Sequence, residues 1–95
     1  MSHLPLMPKP GTDTFKLLEA MLHNAPHYEV WSPNSLLNIT AHSRAANLRA
    51  VGWQVESIRG PKIIGTRKRE YGYRLPDLAQ VIHGLSLLRL MKDAA

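Results

Sequence analysis

The run Thr40-Ala41-His42-Ser43-Arg44-Ala45-Ala46-Asn47-Leu48-Arg49-Ala50-Val51-Gly52 decides the fold. At about 100° per residue, Ala41, Ala45, Leu48 and Gly52 share one helix face, which should pack on the preceding helices. His42, Ser43, Ala46, Asn47, Arg49 and Ala50 share the other. Thr40 is placed to cap this helix, and Gly52 to end it in a left-handed conformation. Upstream, Ser32-Pro33 is a helix start, with serine accepting from free amides and proline at a position whose amide is not needed. That helix should run to Leu37, and Asn38-Ile39-Thr40 should make the turn. Downstream, Trp53 to Arg59 and Lys68 to Leu75 read as two strands. Tyr71, Tyr73 and Leu75 alternate with Glu70, Gly72 and Arg74, and Gly60-Pro61-Lys62 and Gly65-Thr66 punctuate the tip. This order predicts an α+β chain of winged helix-turn-helix type: a three-helix core, a β-hairpin wing and an added C-terminal helix.

The remaining elements follow outward. Residues 1–11 hold three of the seven prolines and end in Gly11, so they are expected to form a flexible N-terminal arm. A first helix should start at Thr12 or Asp13, bury Phe15, Leu17, Leu18, Met21 and Leu22, and stop at Asn24 and Pro26. Tyr28-Glu29-Val30 suits a short strand. Pro76 breaks the last strand, and Asp77 can cap a helix from Leu78 to about Lys92. The winged domain is therefore assigned to 12–76 and the C-terminal helix to 77–95. On that helix Leu78, Val81, Ile82, Leu85 and Leu88 form a stripe for docking on the domain. Leu87, Leu90 and Met91 lie on another side and are expected to form the interface of a homodimer.

Charge points to the partner. Residues 42–74 carry Arg44, Arg49, Arg59, Lys62, Arg67, Lys68, Arg69 and Arg74 against Glu56 and Glu70, a net of +6 within a chain of +5. An excess confined to one segment suits a phosphate-binding surface. The expected double-stranded DNA contacts are Thr40, His42, Ser43, Arg44, Ala46, Asn47, Arg49, Arg59, Lys62, Arg67, Lys68, Arg69 and Arg74. Asn47 can bond an adenine edge bidentately, alanine can meet a thymine methyl, and the wing cations can hold phosphates or the minor groove. The competing reading is a winged-helix protein–protein interaction module whose charge is incidental. Ile63 and Ile64, adjacent and apolar in the wing, either fold under it or touch a partner.

Other chemistry is not suggested. There is no cysteine, so disulfides, thiolate zinc sites and cysteine nucleophiles are excluded. His23 and His27 are four apart, but Pro26 intervenes and no third ligand stands nearby, so no metal is expected. His83 reads as a packed or surface histidine. Gly60-Pro61-Lys62 lacks phosphate-loop spacing, and no paired carboxylates suggest acid–base catalysis. The chain is expected to be a non-enzyme without cofactor. With no signal-peptide core and no apolar span, it is expected to be cytoplasmic and not membrane-bound.

The run Arg44 to Ser57, closing with Tyr73-Arg74-Leu75-Pro76, resembles a group of small phage and prophage winged helix-turn-helix proteins. Their pattern is roughly R-I-x-E-L-R-x-x-G-[WY]-x-I-x-[ST], a basic wing, then Y-x-L. The resemblance covers about residues 14–76. It implies DNA binding in transcriptional control, excision or replication of a mobile element. Ala45 stands in place of a larger aliphatic residue, and Asn47 in place of an acid. The second departure removes a negative charge from the surface that would face DNA.

Overall fold

The computed structural model describes residues 4–93. Among them the chain forms α1 (Asp13–Leu22), β1 (Glu29–Trp31), α2 (Pro33–Leu37), α3 (Ala41–Ala50), β2 (Glu56–Lys62), β3 (Arg69–Arg74) and α4 (Leu78–Asp93). It is a mixed α+β fold, with four helices and an open antiparallel sheet in the order β1-β3-β2. The core is built from Leu17, Leu18, Met21 and Leu22 of α1, Val30 of β1 and Ala41, Ala45 and Leu48 of α3. Ile39, Trp53, Val55, Tyr73, Leu75 and Val81 complete it.

Two threonines show why one helix start is capped by its own side chain and another is not. Thr12 has an extended backbone (φ −85°, ψ 159°), and its hydroxyl accepts from the Phe15 amide at 3.2 Å, as capping geometry requires. Thr40, expected to do the same for α3, has ψ 84° and makes no side-chain cap bond. Asn34 of α2 takes its place, its carbonyl Oδ1 accepting from the Ala41 amide at 2.9 Å. The expected Ser32 cap is absent too. The Ser32 amide donates to the Tyr71 carbonyl at 2.9 Å, and its backbone is left-handed at φ 49° with no side-chain cap bond. Pro33 does occupy the first turn of α2, and Asp77 Oδ1 accepts from the Ala79 and Gln80 amides to open α4.

The strand expected from Trp53 begins only at Glu56. The backbone of residues 53–55 finds other partners: Trp53 N–H donates to the Leu48 carbonyl at 3.0 Å, Gln54 N–H donates to the side-chain Oε1 of Gln80 at 2.8 Å, and the Val55 carbonyl accepts from Arg49 Nε at 2.8 Å. The Gln80 side chain also donates to the Gly52 carbonyl at 2.9 Å. A buried glutamine on α4 thus holds the junction between α3 and the hairpin.

That bridge rotates α4 relative to its apolar stripe. Gln80, Val81 and Gly84 face inward, and Leu85 and Leu88 are half-buried. Leu78 and Ile82, expected to dock, are exposed. Gly84 permits the approach, since a Cβ there would sit 2.9 Å from both Leu22 methyls and 3.3 Å from the Trp53 ring. Leu87 and Met91, expected on a separate outward side with Leu90, are half-buried, and only Leu90 is exposed.

Of the segment expected as an arm over 1–11, residues 1–3 lie outside the described residues, and the part around Pro5 and Leu6 packs on the domain. Pro5 is buried. The Trp53 indole, deep in the core, donates to the Leu6 carbonyl at 3.0 Å. His83 Nε2 lies 2.7 Å from the Pro5 carbonyl and serves as donor to it, while its ring stacks on Trp53 with centroids 6.0 Å apart. A buried indole N–H needs an acceptor, and the segment supplies it.

Candidate nucleic-acid interface

Helix α3 exposes what its sequence suggested. Ala41, Ala45 and Leu48 are buried, and His42, Ser43, Ala46, Asn47 and Ala50 are exposed along the opposite side. Thr40 is exposed at the helix start. The outward face carries no large side chain near its centre, so a flat or grooved partner can approach the backbone closely. Asn47 Nδ2 makes only a long 3.4 Å bond to Thr14 Oγ1, which leaves its carboxamide able to turn outward.

The arginines expected to join this face divide into groups. Arg49 is occupied: Nε donates to the Val55 carbonyl at 2.8 Å and Nη2 to Ser57 Oγ at 3.1 Å. It ties the end of α3 to the start of β2 and so positions the hairpin on the helix. Arg74 faces Glu56 across the ladder and bonds both of its carboxylate oxygens, at 3.1 and 3.2 Å. The pair is half-exposed and is worth little to stability, but it neutralises Arg74. Arg44 is half-buried, with its Nε enclosed and without a hydrogen-bond partner among the described residues.

The remaining cations gather on the hairpin. Arg59, Lys62, Arg67, Lys68 and Arg69 are all exposed, and no acidic residue lies between 59 and 69. Among the described residues none of these five takes part in an ion pair. Arg59, Arg67, Lys68, Arg69 and Tyr71 line one open depression of about 570 Å³. Lys62 pairs with Arg69 across the ladder, and the register shifts between Arg59 and Lys62, where Pro61 cannot donate to its neighbour strand. The stem is braced from beneath, as a Cβ on Gly60 would sit 2.9 Å from the Trp31 ring.

One border of the α3 face was not read from sequence. Leu6, Met7, Pro8, Lys9, Thr12 and Thr14 enclose a cleft of about 410 Å³ with Arg44, Asn47 and Val51. The signal that could have placed the segment there is Trp53, a large indole in a core position whose N–H requires an acceptor.

The acidity of Tyr73 departs from the ordinary. Burial raises its phenol above the usual 10.0, and Tyr71 beside it adds to the effect. Tyr73 is a core side chain that meets Tyr71 edge-on at 6.2 Å, and it does not form an exposed stacking platform. His23 closes α1 and His27 lies beyond the helix, so the two do not share a helical turn. No cluster of three metal-ligating side chains occurs among the described residues. No described helix is long and apolar enough to cross a membrane. No family model, curated protein or solved structure matches the chain.

Proposed function

We propose that the chain is a sequence-specific double-stranded DNA-binding protein of winged helix-turn-helix type. In this reading α3 enters the major groove and the β2–β3 hairpin, as the wing, holds the adjacent backbone. The observation that carries it is the set of five unpaired hairpin cations, tethered by Arg49 to a helix whose outward face is small and polar. Cations without counter-ions release condensed salt from DNA on binding, and small helix residues allow base edges to be reached. Arg49 and Arg74 are reassigned from DNA contacts to internal ones. The direct contacts become His42, Ser43, Ala46 and Asn47 for bases, with Thr40 and Arg44 retained at the edge of the helix face, and Arg59, Lys62, Arg67, Lys68 and Arg69 for phosphates. The resemblance to phage and prophage proteins favours regulation, excision or replication of a mobile element as the setting.

The test is selection of bound duplexes from a random pool, followed by Ser43→Ala and Asn47→Ala on the selected site. Each variant should lose discrimination between sites, by about 1–3 kcal/mol for a good bidentate contact. Unchanged site preference in both removes α3 as the reading element. If the pool yields no bound duplex, the protein–protein module becomes the better reading.

The proposal includes a homodimer, with its interface moved to the exposed stripe Leu78, Ile82 and Leu90 on α4. Two such subunits would favour inverted half-sites about one DNA turn apart. Light scattering at tens of micromolar that gives the mass of one chain, unaltered in Ile82→Glu, rejects it.

A further inference from the structure

The tip of the hairpin is built to hold an apolar side chain in water. Ile63 N–H donates to the Lys68 carbonyl at 2.9 Å, and Thr66 N–H returns to the Ile63 carbonyl at 3.1 Å. The Thr66 hydroxyl accepts from the Lys68 amide at 3.1 Å and lies 3.1 Å from the Ile63 carbonyl. Gly65 takes φ +82°, the value that the third position of a type II turn demands. The second position of that turn is Ile64, and it is 99% exposed, while Ile63 is 46% exposed. Water contact disfavours an isoleucine, and β-branching stiffens it. Here it stands at the most projecting point of a hydrogen-bonded turn, with Lys62 on one side and Arg67, Lys68 and Arg69 on the other.

We propose that Ile64 is an apolar wedge that enters the DNA minor groove and partly unstacks one base step, while the flanking cations hold the phosphates on either side. The proposal rests on the duplex-binding reading above and deepens it. The minor groove is about 6 Å wide, which admits a two-residue turn but not a helix. Its negative potential attracts the four cations beside the tip, and isoleucine is among the side chains that can part stacked bases and kink a duplex. A lipid surface would also accept an apolar tip among cations, but membrane anchoring needs a wider apolar face than one projecting side chain supplies. Specificity would then come in part from how readily a step deforms, with flexible pyrimidine–purine steps favoured at the point the tip reaches.

The experiment compares wild type with Ile64→Ser, which keeps every charge and alters a side chain that packs on nothing. The probe is a duplex selected by the wild type from a random pool, read by permanganate attack on unstacked thymines and by energy transfer between dyes on its ends. Wild type should create a reactive thymine at one step and shorten the end-to-end distance. Ile64→Ser should abolish both signals and bind about tenfold more weakly, with the salt slope unchanged because no phosphate contact is lost. Full affinity, bending and thymine reactivity in Ile64→Ser overturn the wedge and leave duplex binding intact. Failure of the wild type to select any duplex overturns the binding reading, and the wedge with it. Anionic phosphatidylserine vesicles form the third arm. Binding to them that depends on Ile64, with duplex binding indifferent to it, assigns the tip to a membrane and overturns the wedge.

Discussion

Replacing Gln80 with leucine should destabilise the protein more than replacing it with alanine, although leucine is the more apolar residue and α4 is otherwise rich in leucine. Gln80 is 6% exposed. It accepts from the Gln54 amide at 2.8 Å and donates to the Gly52 carbonyl at 2.9 Å. A typical hydrogen bond contributes about 1 kcal/mol net, whereas a buried backbone group left without a partner costs about 1–3 kcal/mol. Alanine opens space beside Gly52 and Gln54, both at the surface, so water can reach the two orphaned groups and the cost should stay near 2 kcal/mol. Leucine fills the space and keeps water out, so both groups stay unsatisfied and the cost should be about 3–4 kcal/mol. In a domain of this size 1 kcal/mol corresponds to roughly 4–8 °C. Thermal unfolding by circular dichroism should therefore place Gln80→Leu about 15–25 °C below wild type, with Gln80→Ala between them. A leucine variant as stable as wild type would refute the reasoning, because it would show that the bridge adds nothing to the α3–hairpin junction.

Further outcomes follow from the same structure. Deleting residues 2–8 should lower the melting temperature by about 5–10 °C, since the Trp53 indole and His83 lose their carbonyl partners; an unaltered melting curve would mean the docked segment contributes nothing. The phenol of Tyr73 is raised in the folded state, so its contribution is complete below the ordinary value of 10.0 and is lost as pH rises through the folded value. Denaturant titrations between pH 8 and 11 should show stability falling above about pH 10, with a shallower fall in Tyr73→Phe; identical profiles would remove Tyr73 as the source. Arg49→Ala should cost about 1–2 kcal/mol of stability through the lost bonds to Val55 and Ser57, without lowering the salt slope of DNA binding, whereas a lower slope would return Arg49 to the phosphate contacts.

How much of this was legible in the chain depended on whether the cause was local. The helices at Asp13, Pro33, Ala41 and Leu78 could be read because apolar spacing and nearby stop signals act within a turn or two. The strand at β3 could be read because Tyr73 and Leu75 alternate with Gly72 and Arg74. Where a distant group decides the matter, the local sequence does not show it. Ser32 is pulled into a left-handed backbone by the Tyr71 carbonyl, and Thr40 yields its capping role to Asn34. The rotation of α4 follows from Gln80 and Gly84, a polar and a small residue that an apolar stripe disregards. Trp53 draws the N-terminal segment inward in the same way. For the candidate site, the cluster of hairpin cations was visible as a charge run. That Arg49 and Arg74 are consumed by Val55, Ser57 and Glu56 depends on strand register, which a charge run does not carry.

If the five hairpin cations without ion-pair partners among the described residues bind the DNA backbone, duplex affinity must depend steeply on salt. With Arg59, Lys62, Arg67, Lys68 and Arg69 each at a phosphate, the slope of log affinity against log salt should be about −4 to −5 for each subunit bound to its half-site, at roughly 0.9 per contact. Arg67, Lys68 and Arg69 replaced together by alanine should bring it to about −2 and weaken binding to every sequence alike. A wild-type slope near zero, or a triple variant that keeps both affinity and slope, would mean that the hairpin does not contact phosphates.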